Sequence, residues 1–402
     1  MSIVKNNTQY LWRAVFILIA LWYVTACGVH YFSQRPLWND ELAVFDSIQD
    51  FYPSDFFTRE LETFQVFPRL YLFYIQSFAK LFDNSVLSLR FFSLVCMMAA
   101  FAVWVRVARR ELKNPLEFLA FVLCWAASAP LIYYSAELKQ YSMDVLVSGI
   151  FMSFLYTQEK LRSSVGDRRY MMMLVFLPVL VMFSYPAYFF LAFPLWNLAA
   201  AVKTDRSQLK FILAYFCSLV VFVTCSYLFD IRLRPVDIVS FGFNDYFIST
   251  DSVKGFFQTF GEFVNNIFSR WFVELPKVYR KLARFFMLFG LVTLFAAFFK
   301  DIGKGGWKFV SVSTVALVVF AELVCVGMLR KYPVGVPRTV LFFCPMLLIL
   351  TLQGISSLKT LNRYVYFLIL GAFLIYLSVV AVGLFGAILA GPIDAIPTIW
   401  DY

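Results

Sequence analysis

The chain has 402 residues, of which 61% are hydrophobic and 15% charged. That much apolar surface exceeds what a water-soluble core can bury, so the composition excludes an ordinary soluble enzyme and defines an all-α polytopic membrane protein. The formal net charge is +10. In a membrane protein such an excess reflects cytoplasmic loops and lipid headgroups, and no nucleic-acid-binding module is visible.

Helical apolar runs recur from end to end. They place spans at Leu11–Phe32, Val86–Val107, Leu116–Tyr134, Tyr141–Gln158, Tyr170–Ser184, Ala187–Val202, Phe211–Asp230, Phe285–Phe299, Phe309–Leu329, Thr339–Ser356 and Tyr364–Leu389. Most approach the roughly 20 residues that a helix needs to cross a bilayer. Val24-Thr25-Ala26-Cys27 resembles a lipoprotein cleavage box, but the apolar run continues past Cys27, which favours an uncleaved anchor. The seven cysteines all lie in apolar runs and read as small buried hydrophobes, without disulfides or a zinc site. His30, the one histidine, reads as an interfacial residue ending the first span.

Val66–Phe82 is apolar enough to count as a span, and loop charge decides against it. If it lies in the outer interface, then Lys5/Arg13, Arg109/Arg110/Lys113, Lys160/Arg162/Arg168/Arg169, Lys203/Arg206/Lys210, Lys300/Lys304/Lys308 and Lys359/Arg363 all fall on one side. That is a consistent positive-inside pattern. The expectation is a single domain over 1–402 with about eleven spans and a cytoplasmic N-terminus. Two long outer loops, 33–85 and 231–284, remain. In the first, Val44, Phe45, Ile48 and Phe51 stand at helical spacing before Pro53. In the second, Val253, Phe256, Phe257, Phe260, Val264, Ile267 and Phe268 form an apolar stripe that Thr250, Asp251 or Ser252 would cap. Both loops read as amphipathic helices on the membrane.

Three polar clusters share the outer face. Pro36-Leu37-Trp38-Asn39-Asp40-Glu41 sets two carboxylates beside a helix start, where one can accept a proton from a hydroxyl. The turn from Tyr133 to Tyr141 concentrates Glu137, Lys139 and Tyr141, and Asp144 adds an acid one turn into the next span. The short loop from Arg330 to Arg338 carries Arg330, Lys331 and Arg338 around Tyr332, two prolines and a glycine. Those cations oppose the inside bias, and a phosphate is their natural partner. Glu322, inside the preceding span, is expected to pair or to line a cavity. A base, a phosphate clamp and a lipid-facing groove suggest sugar transfer from a polyprenyl-phosphate donor. Phosphate leaves without a general acid, cations hold its charge, and a single displacement inverts the anomeric centre. A transporter or flippase for a lipid-linked glycan is the alternative, since it needs the same groove and cations but no base.

On these motifs the chain resembles the GT-C superfamily of integral-membrane glycosyltransferases, in the branch of protein O-mannosyltransferases and the lipid A aminoarabinose transferase. The likeness rests on Asp40-Glu41, on Phe67-Pro68-Arg69-Leu70-Tyr71 followed by Leu89-Arg90-Phe91, on Tyr134-Ser135-Ala136-Glu137-Leu138-Lys139-Gln140-Tyr141, and on Tyr332-Pro333, Arg338, Leu341-Phe342-Phe343 and Pro345. The resemblance implies Asp40 as base and Glu41 as a second catalytic carboxylate that supports acceptor binding or orients Asp40. Arg338 and Lys139 would hold the donor phosphate with help from Arg330 and Lys331. Trp38, Glu137, Tyr141 and Tyr332 would line the substrate pocket. It further implies a plasma (bacterial inner) membrane location, a periplasmic active site, and a lipid, glycan or protein acceptor. No cofactor is required; some relatives use a divalent metal and others do not, and Asp40, Glu41 and Glu137 are the oxygen ligands on offer. Lys139 replaces a common Arg, and only Gly391–Tyr402 follow the last span where relatives carry a soluble domain, so the acceptor stays open.

Overall fold

The structure is a computed structural model. It describes residues 2–61, 66–203, 205–234, 244–269 and 311–391, with isolated positions between 285 and 292. Among the described residues every regular element is helical. Among the described residues six helices are long and apolar enough to cross a membrane, seven if a bent pair counts as one span. The expected span Phe285–Phe299 and the C-terminal residues after Gly391 lie outside the described residues.

The first helix, α1 (Ser2–Phe32), shows how the bundle divides its surface. Tyr23, Ala26, Cys27 and His30 lie on one face and are buried. Tyr23 meets Phe101 at 4.8 Å and Trp125 at 5.8 Å. The opposite face exposes Leu11, Ile17, Leu18, Leu21 and Val24. The last helix, Arg363–Ala390, likewise exposes Leu368, Ile375, Val379, Val382 and Leu389. Stripes of large apolar residues facing outward over whole helices are stable in lipid and a liability in water.

Two short helices follow: α2 (Asn39–Ile48) and α3 (Arg69–Lys80). At 12 residues α3 is too short to cross the ~30 Å hydrocarbon layer, given about 1.5 Å of rise per residue. The α4 helix (Val86–Glu111) is a full span. The next apolar run is broken into α5 (Pro115–Ala126) and α6 (Ala129–Tyr133), bent by 57°. Pro130 in the first turn of α6 has no N–H to continue the ladder, which explains the break.

One expectation is corrected by α7 (Tyr141–Phe176). Tyr141–Gln158 and Tyr170–Ser184 were expected as separate spans around a basic loop, but the backbone runs as one 36-residue helix to Phe176. Its residues between 159 and 169 are helical because none of them breaks a helix: Lys160, Leu161, Arg162 and Arg168 are good formers, and the one glycine, Gly166, is tolerated. A 3₁₀ stretch, Leu177–Met182, leads through a second, Tyr185–Phe190, into α8 (Ala192–Val202) and α9 (Leu209–Phe229). The expected amphipathic helix of the second outer loop is present over Val253–Ser269, and Ser252 is the residue whose hydroxyl caps it, accepting from Gly255 N at 3.0 Å. Val312–Met328 and Cys344–Leu361 complete the core, the latter after a 3₁₀ turn over Pro337–Phe343.

Helices α4 and α7 pack closely because Gly149 faces Trp104. A Cβ there would sit 2.9 Å from the indole nitrogen, which donates to Val145 O at 2.9 Å. Small residues at such crossings let membrane helices approach. At one end of the bundle Arg13, Arg109 and Lys113 line a cleft of about 340 Å³ with Trp12, Phe16 and Phe118. Lys113 and Lys359 line its neighbour with Glu111 and Gln353. Three of the basic groups expected on the cytoplasmic side therefore meet at one end. Single cysteines placed at Lys359 and at Asp55, in a cysteine-free background, should label with a membrane-impermeant maleimide from opposite sides. Labelling of both from one side would overturn this orientation.

Candidate functional site

At the other end the three sequence clusters converge. Glu41 sits in the first turn of α2, where the helix dipole favours an anion. It is fully buried. Arg90, in the first turns of α4, donates to it from Nε at 2.9 Å and from Nη2 at 2.6 Å. Arg35 pairs with it at 3.2 Å. Its Oε1 accepts Leu138 N at 2.7 Å, and Oε2 accepts Trp38 N at 3.4 Å. Arg90 also donates to the carbonyls of Arg35 at 2.7 Å and Pro36 at 3.2 Å. The loop before α2, the start of α4 and the turn after α6 are thus tied to one carboxylate. With every lone pair engaged by cations or amides, Glu41 presents no face to a substrate. Of the two roles that the resemblance implies for Glu41, supporting acceptor binding or orienting Asp40, this geometry suits the second.

Asp40, next in the chain, points the other way and is 28% exposed. Its Oδ2 lies 3.3 Å from Arg338 Nη2 and 3.5 Å from Lys139 Nζ. Arg338 comes from the late loop and Lys139 from the turn before α7, so residues nearly 300 positions apart share one oxygen. The Arg338 guanidinium lies 5.8 Å above the Trp38 ring and the Lys139 ammonium 4.8 Å above Phe67. Such cation–π contacts hold a charge in place without neutralising it. The Lys139 carbonyl is fixed by Tyr71 OH at 2.8 Å, and Ser93 Oγ donates to Glu137 O at 2.6 Å.

Glu137 is the third acid. Trp38 Nε1 donates to its Oε1 at 3.1 Å, while Oε2 is buried and has no hydrogen-bond partner. Burial, and next the Glu41 charge, push its carboxyl up to about 7, against the pull of Arg35, Arg338 and Lys139. Burial lowers the proton affinity of Lys139, and the Asp40 charge opposes that shift. Tyr141 is buried against Tyr134 at 4.8 Å.

Three expected members stand elsewhere or are used internally. Arg330 is half-exposed and reaches Asp251 at 3.7 Å, before the Val253–Ser269 helix. Lys331 is exposed. Tyr332 donates to Thr339 O at 2.6 Å and sets its ring against Phe189 at 5.6 Å, bracing the loop that presents Arg338. Arg330, expected with Lys331 at a donor phosphate, thus has a carboxylate counter-charge of its own, and Tyr332, expected to line the pocket, spends its hydroxyl on the loop backbone. In the sequence Arg90 stands only as part of a motif, without a role, and Arg35 is not singled out. A lone arginine in the first turn of an apolar span was the available signal for Arg90. His30 lies in the last turn of α1, at the end of the first span as expected, and is buried beside Tyr133. Among the described residues no three His, Cys, Asp or Glu side chains are grouped to hold a metal ion. The three offered oxygen ligands instead face guanidinium, ammonium and indole groups.

The fold and this site define the class: a membrane-embedded, all-helical protein with a buried ionic cluster at one end of the bundle. Compared with family models, curated proteins and solved structures, the chain finds no match in any of the three.

Two measurements test the cluster. Replacing Arg90 with Ala leaves Glu41 buried with only Arg35, and breaking a buried pair costs roughly 3–5 kcal/mol. The expected result is loss of a monodisperse folded protein in detergent; a variant as heat-stable as the parent would refute the role. For Glu137 the folded value lies above the unfolded one of about 4.3. Its contribution is therefore full below about pH 4 and is lost as the pH rises towards 7, because the unfolded chain ionises first. Glu137→Gln should remove that part of the decline in melting temperature between acid and neutral pH. An unchanged pH slope would overturn it.

Proposed function

We propose that this protein is a glycosyltransferase that moves a sugar from a polyprenyl-phosphate donor to an acceptor hydroxyl at the extracytoplasmic face of a plasma membrane, with inversion and with Asp40 as base. The observation that carries the reading is the single Asp40 oxygen held between Lys139 and Arg338, at 3.5 Å and 3.3 Å. Two fixed cations facing one partly exposed carboxylate leave a positive charge in excess, which a donor phosphate can take. As it does so it competes for the cations and frees the Asp40 oxygen for the acceptor.

The chemistry then balances. Asp40 accepts the hydroxyl proton, the acceptor oxygen bonds to the anomeric carbon, and the bond from that carbon to the phosphate oxygen breaks. The electron pair leaves with the polyprenyl phosphate, whose charge Lys139 and Arg338 hold. Glu41, fixed by Arg90, sets the direction of Asp40 through the first turn of α2. Trp38 and Tyr141 wall the space beside the cations. The eleven-span count, the interfacial placement of α3 and the outer-face position of the site belong to this reading.

The test is made on the full chain in lipid with a radiolabelled polyprenyl-phosphate sugar. Wild type should release free polyprenyl phosphate in step with labelled acceptor. Asp40→Asn should lower that rate by about 10²–10⁴-fold while the protein stays folded, the range typical of a lost general base. Full activity in that variant removes the base. Movement of intact lipid-linked sugar to the other leaflet without release of the phosphate favours the transporter.

A further inference from the structure

A second ionic cluster stands beside the first and plays no part in the transfer described above. Arg69, at the first position of α3, lies 3.9 Å from Asp230 Oδ1, at the end of α9. Arg234 reaches the other oxygen at 3.6 Å and stacks 4.2 Å above the Tyr185 ring. Tyr185 OH donates to Asp230 Oδ1 at 3.1 Å.

Both guanidinium contacts are too long for hydrogen bonds. Arg69 is only 3% exposed, and its Nε and Nη1 have no hydrogen-bond partner. The same holds for Nε and Nη2 of Arg234 and for Oδ2 of Asp230. A buried N–H left unpaired costs about 1–3 kcal/mol, more when charged. Two guanidinium groups against one carboxylate also leave a positive charge over; the next acid to act on Arg69 after Asp230 is Glu60, which is exposed.

The start of α3 adds to the imbalance. It has no side-chain cap and no acid in its first turn. A cation at a helix N-terminus opposes the dipole, so Arg69 stands where only an anion would be at ease. Phe67 and Tyr71, on either side of Arg69, both touch Lys139, by its ammonium and by its carbonyl. The two clusters are therefore neighbours across one turn of chain.

We propose that Arg69, Arg234 and the uncapped start of α3 form a second anion site, which takes a phosphate group separately from Lys139 and Arg338. The guanidinium fork matches the paired oxygens of a phosphate better than a single ammonium does. Asp230 holds the arginines apart when the site is empty and is displaced, or turns to Tyr185, when it fills. This site stands without the transferase reading, and its test reads binding, not turnover.

The probe is inorganic phosphate, added to the full chain in nanodiscs of phosphatidylcholine, with melting temperature as readout; phosphatidic acid is then mixed into the same nanodiscs. In the Lys139→Gln/Arg338→Gln background phosphate or phosphatidic acid should still stabilise the protein. Adding Arg69→Gln and Arg234→Gln should weaken that response about tenfold, the scale of a lost charge-assisted contact. Stabilisation by dissolved phosphate identifies a site open to soluble anions, and stabilisation by phosphatidic acid alone identifies a lipid headgroup; either supports the proposal. Should the arginine variants misfold, Asp230→Asn removes the competing carboxylate and keeps an acceptor for Tyr185, and it should tighten binding several-fold. Binding unchanged by all of these substitutions, or no response to either probe, overturns the site.

Discussion

The pairing of Glu41 with Arg90 is the contact on which the candidate-site end of the molecule depends. Taking an isolated carboxylate out of water costs several kcal/mol, and Coulomb attraction alone seldom repays it. Here the cost is offset by two hydrogen bonds from Arg90, the ion pair with Arg35, and the amides of Leu138 and Trp38. Because these partners and Glu41 itself come from four stretches of chain, the ion cluster acts as a junction. The loop after α1, the first turns of α2 and α4, and the turn before α7 can each adopt only the arrangement that completes it. Removing one donor therefore affects all of them.

That junction explains how adjacent acids come to differ. Asp40 and Glu41 are neighbours in the first turn of one helix, about 100° apart around its axis. When Arg90 draws Glu41 inward, Asp40 must face sideways, toward the space that Lys139 and Arg338 occupy. Lys139 is itself one residue from Leu138, whose amide Glu41 binds. The base candidate and one of its cations are thus placed by the same buried carboxylate. Arg338 arrives independently, on a loop braced by Tyr332 and by Gly335. The latter lies so near Tyr246 that a Cβ would sit 2.8 Å from its carbonyl oxygen.

Much of this was legible in the sequence, for reasons that can be named. Apolar runs of span length are a strong signal, and the stripe from Val253 to Phe268 set out its helix because charge and aromatic spacing agreed. Asp40, Lys139 and Arg338 stood out because charged residues are rare in this chain and need partners near lipid. What sequence did not reveal was which partner each would choose. Glu41 and Asp40 look equivalent in one dimension, and only the arrival of Arg90 from α4 separates them. Arg330 and Arg338 likewise sit in one short loop, yet one meets Asp251 and the other Asp40. The continuous α7 was hidden because basic residues mark a membrane boundary without breaking a helix.

In the sequence the three cations of the Arg330–Arg338 loop point to phosphate because, in the expected topology, they oppose the positive-inside bias. The structure sharpens that argument. Where Arg330 has a carboxylate of its own, the bias is satisfied internally and no ligand is needed. At Lys139 and Arg338 one carboxylate serves two cations, and at Arg69 and Arg234 the same shortfall recurs over buried, unpaired N–H groups. Excess positive charge on this face is therefore not spread along the surface. It is concentrated at two neighbouring points linked by the start of α3, where aromatic rings from Phe67, Trp38 and Tyr185 support cations without cancelling them. Neutralising residues would have been simpler to place if stability alone had shaped these positions. Rings that leave a charge available are the arrangement expected where an anion comes and goes.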